Sequence, residues 1–276
     1  MSSHPRIGFI GAGNMASALA GGLLARGWPA ASLWLADPSA AQLAAHSGRG
    51  LRTTTDNAEL VAAVDVLVLS VKPQVMADVL KSIAGIARAR RPLIISIAAG
   101  IPVASLQRWL GAALPVVRAM PNTPALVQAG AAGLFASAEV GEDQRRLAEQ
   151  VLGAVGLSLW VEREELIDAV TAVSGSGPAY FFYVMESMIA AGVALGLDER
   201  DARALTLQTA LGAAQMAITA DVGPAELRRR VTSPAGTTEQ AVRVFDESGL
   251  GDIFQRALAA CADRGAEMAR ELGGRD

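Results

Sequence analysis

The segment Ile7-Gly8-Phe9-Ile10-Gly11-Ala12-Gly13-Asn14-Met15-Ala16 spaces small residues as GxGxxA, behind a short apolar run and ahead of a helical pattern. In that setting Gly11 supplies a tight turn, Gly13 lets a pyrophosphate approach the backbone, and Ala16 allows a helix to lie close on a sheet. Unpaired N–H groups at the helix start then hold the anion. Gly11, Ala12, Gly13, Asn14 and Met15 are thus the expected cradle of a dinucleotide. Asp37 follows 24 positions after Gly13, at the end of the next apolar run. A carboxylate there accepts bonds from ribose hydroxyls and repels a 2′-phosphate. No arginine follows before Arg49, yet Ser39 offers a hydroxyl and a backbone donor to a phosphate. Asp37 also suits an ordinary turn ahead of Pro38. The residues leave the cofactor open as NADPH or NADH.

Such a loop needs a scaffold. Up to Trp160, short β-rich runs alternate with helical patterns, with strands expected over 6–10, 32–36, 66–70, 93–96 and 116–120 and helices over 14–26, 39–46, 75–86 and 102–110. That alternation indicates βαβ units and a parallel sheet. A further strand pair, 131–136 and 158–160, flanks a helix over 142–154 and is expected at the sheet edge. After Trp160 the β signal stops, and helices are expected over 164–172, 178–195, 199–220, 224–231, 238–247 and 251–272. The expected fold is an α/β N-terminal Rossmann domain over 1–162, doubly wound with a mostly parallel sheet, plus an all-α C-terminal domain over 163–276. Residues 204–220 carry no charge and are mostly apolar on every side. A helix of that kind has no solvent face. Either a second copy of the chain covers it, which makes the helical half a dimerisation domain, or its own neighbours wrap it.

Composition narrows the function. The 276 residues are 51% apolar, and 24 basic against 27 acidic side chains give a net charge of −3. That balance speaks against nucleic acid, which is held by clustered basic charge. Despite the apolar content, no uninterrupted apolar run has the length of a membrane span. The chain start shows no basic segment ahead of a long apolar one, so a cytoplasmic enzyme is expected. Cys261 is the single cysteine, and with only His4 and His46 as histidines a Cys/His metal cluster is not expected.

Three further segments are more specific: Arg118-Ala119-Met120-Pro121-Asn122-Thr123-Pro124, Ser174-Gly175-Ser176-Gly177-Pro178-Ala179-Tyr180, and Val231-Thr232-Ser233-Pro234-Ala235-Gly236-Thr237-Thr238. Together with Thr55-Asp56-Asn57, Val71-Lys72-Pro73, Ala98-Ala99-Gly100 and the glycine loop, they resemble the pyrroline-5-carboxylate reductase family in chain order. The resemblance implies reduction of the cyclic imine 1-pyrroline-5-carboxylate to L-proline with NAD(P)H, in proline biosynthesis. It also implies self-association through the helical domain as a dimer and, commonly, a ring of dimers. By position it implies that Asn57 reaches the adenosine ribose and that Val71, Lys72, Ala98 and Ala99 lie along the cofactor. Pro121 and Asn122 would line the hydride pocket, and Ser176, Gly236, Thr237 and Thr238 would meet the substrate, with Thr238 at the ring nitrogen. The family usually has glycine where this chain has Ala235, and an ordinary backbone angle is expected there.

The residues themselves are compatible with these assignments. Residues 233–238 form a Pro/Gly loop feeding a helix, and Thr237 with Gln240 has the spacing of a capping box. The free amides of such a helix start also hold a small carboxylate without Arg or Lys. Residues 174–178 read as a turn between helices, and Arg228-Arg229-Arg230 as a solvated helix face. A β-hydroxyacid dehydrogenase would join similar domains but needs a lysine in the helical half, whereas lysine occurs only at Lys72 and Lys81. A reductase of a related cyclic imine and a non-catalytic dinucleotide-binding oligomer are the other readings.

Overall fold

The computed structural model describes residues 4–274. Strands β1 (Ile7–Ile10), β4 (Val66–Leu69) and β5 (Leu93–Ser96) are buried along their whole length, as a parallel sheet covered on both faces requires. With β2 (Leu33–Ala36), β3 (Arg52–Thr54), β6 (Val116–Met120), β7 (Gly130–Ala136) and β8 (Gly156–Trp160) they form one sheet in the order β3-β2-β1-β4-β5-β6-β7-β8. Alternate side chains feed two cores. Ile7, Phe9, Val66 and Val68 pack with helices α1 (Asn14–Ala25) and α6 (Glu142–Gly153) on one face. Ile10, Leu67, Leu69 and Ile94 pack with α3 (Asn57–Ala63), α4 (Met76–Arg90) and α5 (Val103–Leu110) on the other.

β3 and α3 were not expected. β3 is a polar edge strand of three residues, so it lacks an apolar alternation to read. α3 is announced by Asp56, whose carboxylate accepts from the Ala58 amide at 2.8 Å, and by Glu59 three residues on in its first turn. α2 (Ala40–Ser47) begins as expected after Ser39, whose hydroxyl accepts from the Gln42 amide.

The edge pair is present with one reversal: β7 runs antiparallel to β6, and β8 runs parallel to β7. Met120 is level with Gly133, so residues 130–132 project past the end of β6. α7 (Leu166–Val170) sits against this ledge, with Val170 so close to Gly133 that a Cβ there would meet its side chain at 2.5 Å. The helix expected over 164–172 instead gives way to a π turn, Thr171–Gly175, closed by a bond from the Ser176 amide to the Thr171 carbonyl.

Two compact units result, residues 4–176 with 260–274, and residues 177–259. The compact units divide after Ser176, because α7 and the π turn pack on the sheet. The last helix, α12 (Leu250–Gly273), also ends in the first unit, where Leu272 is buried and Met268 packs beside it. No helix among the described residues is long and apolar enough to cross a membrane.

The second unit is built from α8 (Gly177–Ala194), α9 (Glu199–Thr219), α10 (Pro224–Arg230), α11 (Thr237–Glu247) and the start of α12. α8 and α9 touch where Gly192 faces Ala202, yet along α9 only Ala202 and Thr206 are buried. Phe181, Phe182, Leu211, Met216 and Ile218 stand exposed in the single chain, and Ile218 is 83% exposed. The helix is therefore not wrapped by its own neighbours. An apolar surface of this extent belongs to an association interface. Leu211→Glu is expected to dissociate or unfold the protein, and sedimentation velocity on the variant measures it.

Candidate active site

The order 3-2-1-4 places the crevice for a ligand between the carboxyl ends of β1 and β4, where the winding reverses. Gly11 fits there because its φ is +93°, and because a Cβ would come within 2.8 Å of the Ser70 carbonyl. Its amide donates to the Ala36 carbonyl at 2.8 Å, which ties the loop to β2. Gly13 precedes α1 as its cap residue and nothing lies within 4 Å of the place its Cβ would fill. α1 has no side-chain cap and no acid in its first turn, so the amides of Asn14, Met15 and Ala16 face that open space without competition from an internal anion. Ala16 is fully buried, as close helix–sheet packing demands.

Asp37 stands directly after β2, where its carboxylate is bonded within the chain. One carboxylate oxygen accepts from the Ala12 amide at 3.0 Å and the other from the Ser39 amide at 2.9 Å. The turn role is real, and the same side chain fastens the glycine loop to the start of α2. Arg49 lies against Gly21, in the third turn of α1. His46, on the last turn of α2, is buried with its Nε2 3.2 Å from the Ser17 hydroxyl of α1, so it serves this helix pair. Asn57 opens α3 and is half-buried, Val71 packs at Gly11, and Lys72 is exposed just before a short turn, Pro73–Val75. Ala98 and Ala99 follow β5, whose end is held to β4 by the Ile97 amide on the Leu69 carbonyl.

One residue that sequence reasoning missed is Ser70. Its hydroxyl oxygen is buried and has no partner among the described residues, directly after β4 and beside Gly11. A serine closing the apolar run Val66-Leu67-Val68-Leu69 was the available signal. An open Gly13, an uncapped α1 and an unsatisfied hydroxyl at the switch point fit a dinucleotide.

Also in the first unit, Asn122 follows β6 and Ser176 follows the π turn. Asn122 is 9% exposed and uses both ends of its amide on backbone: it donates to the Ser174 carbonyl at 3.0 Å and accepts from the Ala131 amide at 2.9 Å. The Cys261 thiol donates to the Ser176 hydroxyl at 3.4 Å.

The 233–238 loop lies in the second unit. Gly236 caps α11, where a Cβ would come within 2.9 Å of the Ser233 carbonyl, and Thr237 and Thr238, the first two residues of the helix, are exposed. The expected Thr237–Gln240 capping box is absent, because Thr237 is already inside the helix. Glu239 turns back instead and accepts from the Ala235 amide at 2.8 Å. Ala235 has φ +56°, overturning the expectation of an ordinary angle. Left-handed backbone costs a non-glycine residue roughly 1–2 kcal/mol. Arg229 and Arg230 pair with Glu226 on an exposed face, as expected. Ala235→Gly should raise stability by up to about 1 kcal/mol, since relief of that strain exceeds the roughly 0.4–1 kcal/mol of added chain entropy in the unfolded state. Denaturant titration checks it.

This fold and its open glycine loop define a dinucleotide-dependent oxidoreductase. Residues 164–268 match the family model described as pyrroline-5-carboxylate reductase dimerisation, and residues 6–100 match that of NADP oxidoreductase, coenzyme F420-dependent. The pyrroline-5-carboxylate reductase of Pseudomonas aeruginosa is 56% identical over 98% of this chain and 99% of its own length. That of Vibrio alginolyticus is 45% identical over 96% and 98%. The solved pyrroline-5-carboxylate reductase of Coxiella burnetii superposes with a TM-score of 0.93 at 42% identity, covering 96% of this chain and 98% of that one. A Plasmodium falciparum pyrroline carboxylate reductase with NADP bound superposes at 0.85 and 28% identity, covering 97% and 99%. The chain belongs to the pyrroline-5-carboxylate reductase family, NAD(P)H-dependent oxidoreductases of proline biosynthesis that act on a C=N bond.

Proposed function

We propose that the chain reduces 1-pyrroline-5-carboxylate to L-proline through two uncapped helix starts, one for each anion. The observation that carries this reading is their presence in one chain: α1 behind Gly13, and α11 behind Gly236 with Thr237 and Thr238 on its first turn. When bound, NAD(P)H supplies a hydride to the imine carbon. The amides at Gly13, Asn14 and Met15 hold the pyrophosphate, with Gly11, Ala12 and Ser70 beside it, and Asn57, Val71, Lys72, Ala98 and Ala99 flank the remainder.

At the second helix start, the backbone amides following Gly236 hold the substrate carboxylate. The Thr238 hydroxyl accepts from the protonated imine N–H and afterwards relays a proton to the amine nitrogen, with water as its source. Ser176 contacts the ring. An imine arrives protonated far more easily than a ketone, so the site has no need of a His or Lys acid. His46 is buried against Ser17, and Lys72 and Lys81 lie outside the second unit. The working form is a cytoplasmic dimer, in which the exposed apolar surfaces of α8 and α9 meet their copies, assembled further into a ring of dimers.

Purified protein should oxidise NAD(P)H only when pyrroline-5-carboxylate is supplied, and binding of the cofactor without turnover overturns the reading. Thr238→Ala should lower kcat/KM by roughly 100-fold or more while folding and cofactor affinity stay near normal. Near-normal turnover would leave Thr238 a helix residue only.

Asp37 places a negative charge near the adenosine ribose while holding two backbone amides, and Ser39 offers a phosphate its hydroxyl. Both cofactors are used, with NADH working well. Asp37→Asn removes the charge and keeps one acceptor, so the ratio of kcat/KM for NADPH over NADH should rise several-fold. An unchanged ratio in steady-state assays assigns Asp37 to the loop alone.

A further inference from the structure

The carboxamide of Asn122 has backbone partners at both ends, and this arrangement bears on catalysis although the residue follows a strand rather than facing open space. Its Nδ2 donates to the Ser174 carbonyl at 3.0 Å and its Oδ1 accepts from the Ala131 amide at 2.9 Å, so one side chain joins the end of β6, the start of β7 and the π turn. The contact is reinforced two residues earlier, where a Cβ on Gly175 would meet the Met120 side chain at 2.7 Å. The π turn itself is a widened helical turn, of the kind found at functional positions. Its own side chains bond locally: the Thr171 hydroxyl donates to the Ile167 carbonyl and the Ser174 hydroxyl to the Val170 carbonyl. Ser176 follows at once, its amide on the Thr171 carbonyl and its hydroxyl accepting from Cys261. On the other side of Asn122, the segment Thr123–Val127 packs against α1, the helix whose start holds the pyrophosphate.

We infer that Asn122 is a positioning residue that braces the π turn and so sets Ser176 for the substrate, in mechanical continuity with the cofactor helix. This rests on the reading of Ser176 as a substrate contact. The brace replaces direct substrate contact as the role of the Asn122 side chain. An asparagine suits it and an aspartate does not. The Ser174 carbonyl needs a donor and the Ala131 amide needs an acceptor; a carboxamide supplies one at each end, whereas a carboxylate at neutral pH only accepts. A misplacement of reacting groups by about 1 Å costs up to about 100-fold in rate.

The test is a double-mutant cycle in the intact oligomer with Asn122→Asp and Ser176→Ala, reading kcat, KM for pyrroline-5-carboxylate, NADPH affinity by fluorescence titration, and melting temperature. Ser176→Ala is expected to lower kcat/KM for the imine. Asn122→Asp should lower it by roughly 10-fold to 100-fold with NADPH affinity changed less than about twofold. The double variant should be no more than about twofold worse than the weaker single one, since both changes act through one group. Activity of Asn122→Asp relative to the parent should recover as pH falls, because a protonated carboxyl again donates to Ser174. Should Asn122→Asp fail to fold, Asn122→Ser, which is too short to reach both partners, is expected to give the same loss. Parental activity in the Asn122 variants, or losses that multiply in the double variant, overturn the brace while leaving the substrate site standing. A silent Ser176→Ala overturns the substrate reading and the brace with it.

Discussion

A buried guanidinium organises the first unit. Arg118 points from β6 with only 4% of its side chain exposed, and a charge so placed is tolerated only when paired. Its partners are Glu164 at 3.1 Å and Asp168 at 3.7 Å, both from the segment that leads into and through α7. Glu164 also accepts from the Val103 amide at 2.8 Å, and so caps α5. Burial pushes the Asp168 carboxyl above its ordinary range, against the pull of Arg118. Gly265 on α12 passes Asp168 so closely that a Cβ would lie 3.2 Å from its oxygen. One cation thereby fixes where the sheet ends and the helices begin, and losing one partner of such a cluster costs roughly 3–5 kcal/mol. The dimerisation match begins at Glu164 itself.

The same local device stands on both units. Neither α1 nor α11 carries a side-chain cap, and a helix start of that kind attracts an anion. Fixed amides attract an anion without placing a lysine near a reactive imine. The price is local: Gly11 and Ala235 sit at positive φ to aim these loops, and Glu239 steadies the second by bonding back to Ala235.

Much of this was legible in the residues. Apolar runs such as Val66–Leu69 and small-residue spacing at Gly11, Gly13 and Ala16 are local signals, and they placed the strands and the cofactor loop. β3 escaped because an edge strand needs no apolar pattern, and α3 because seven residues are too few to show a helical period. Asp37 and Asn122 were marked as site residues by position, but their bonds run to Ala12 and to Ser174, 25 and 52 residues away. Such partners exist only once the chain has folded. The sign of φ at Ala235 was equally hidden, since alanine is the residue that advertises it least.

The uncapped start of α1 has a thermodynamic consequence for the protein's persistence in a cell. An unliganded helix terminus leaves donors whose best partner is the dinucleotide, so binding is linked to folding. At a free concentration 100 times the dissociation constant, such a ligand deepens the folded well by about 2.7 kcal/mol, roughly a hundredfold fewer unfolded molecules. Proteolysis that samples opened chains follows that population. The lifetime of the enzyme is thus coupled to the size of the nucleotide pool it consumes.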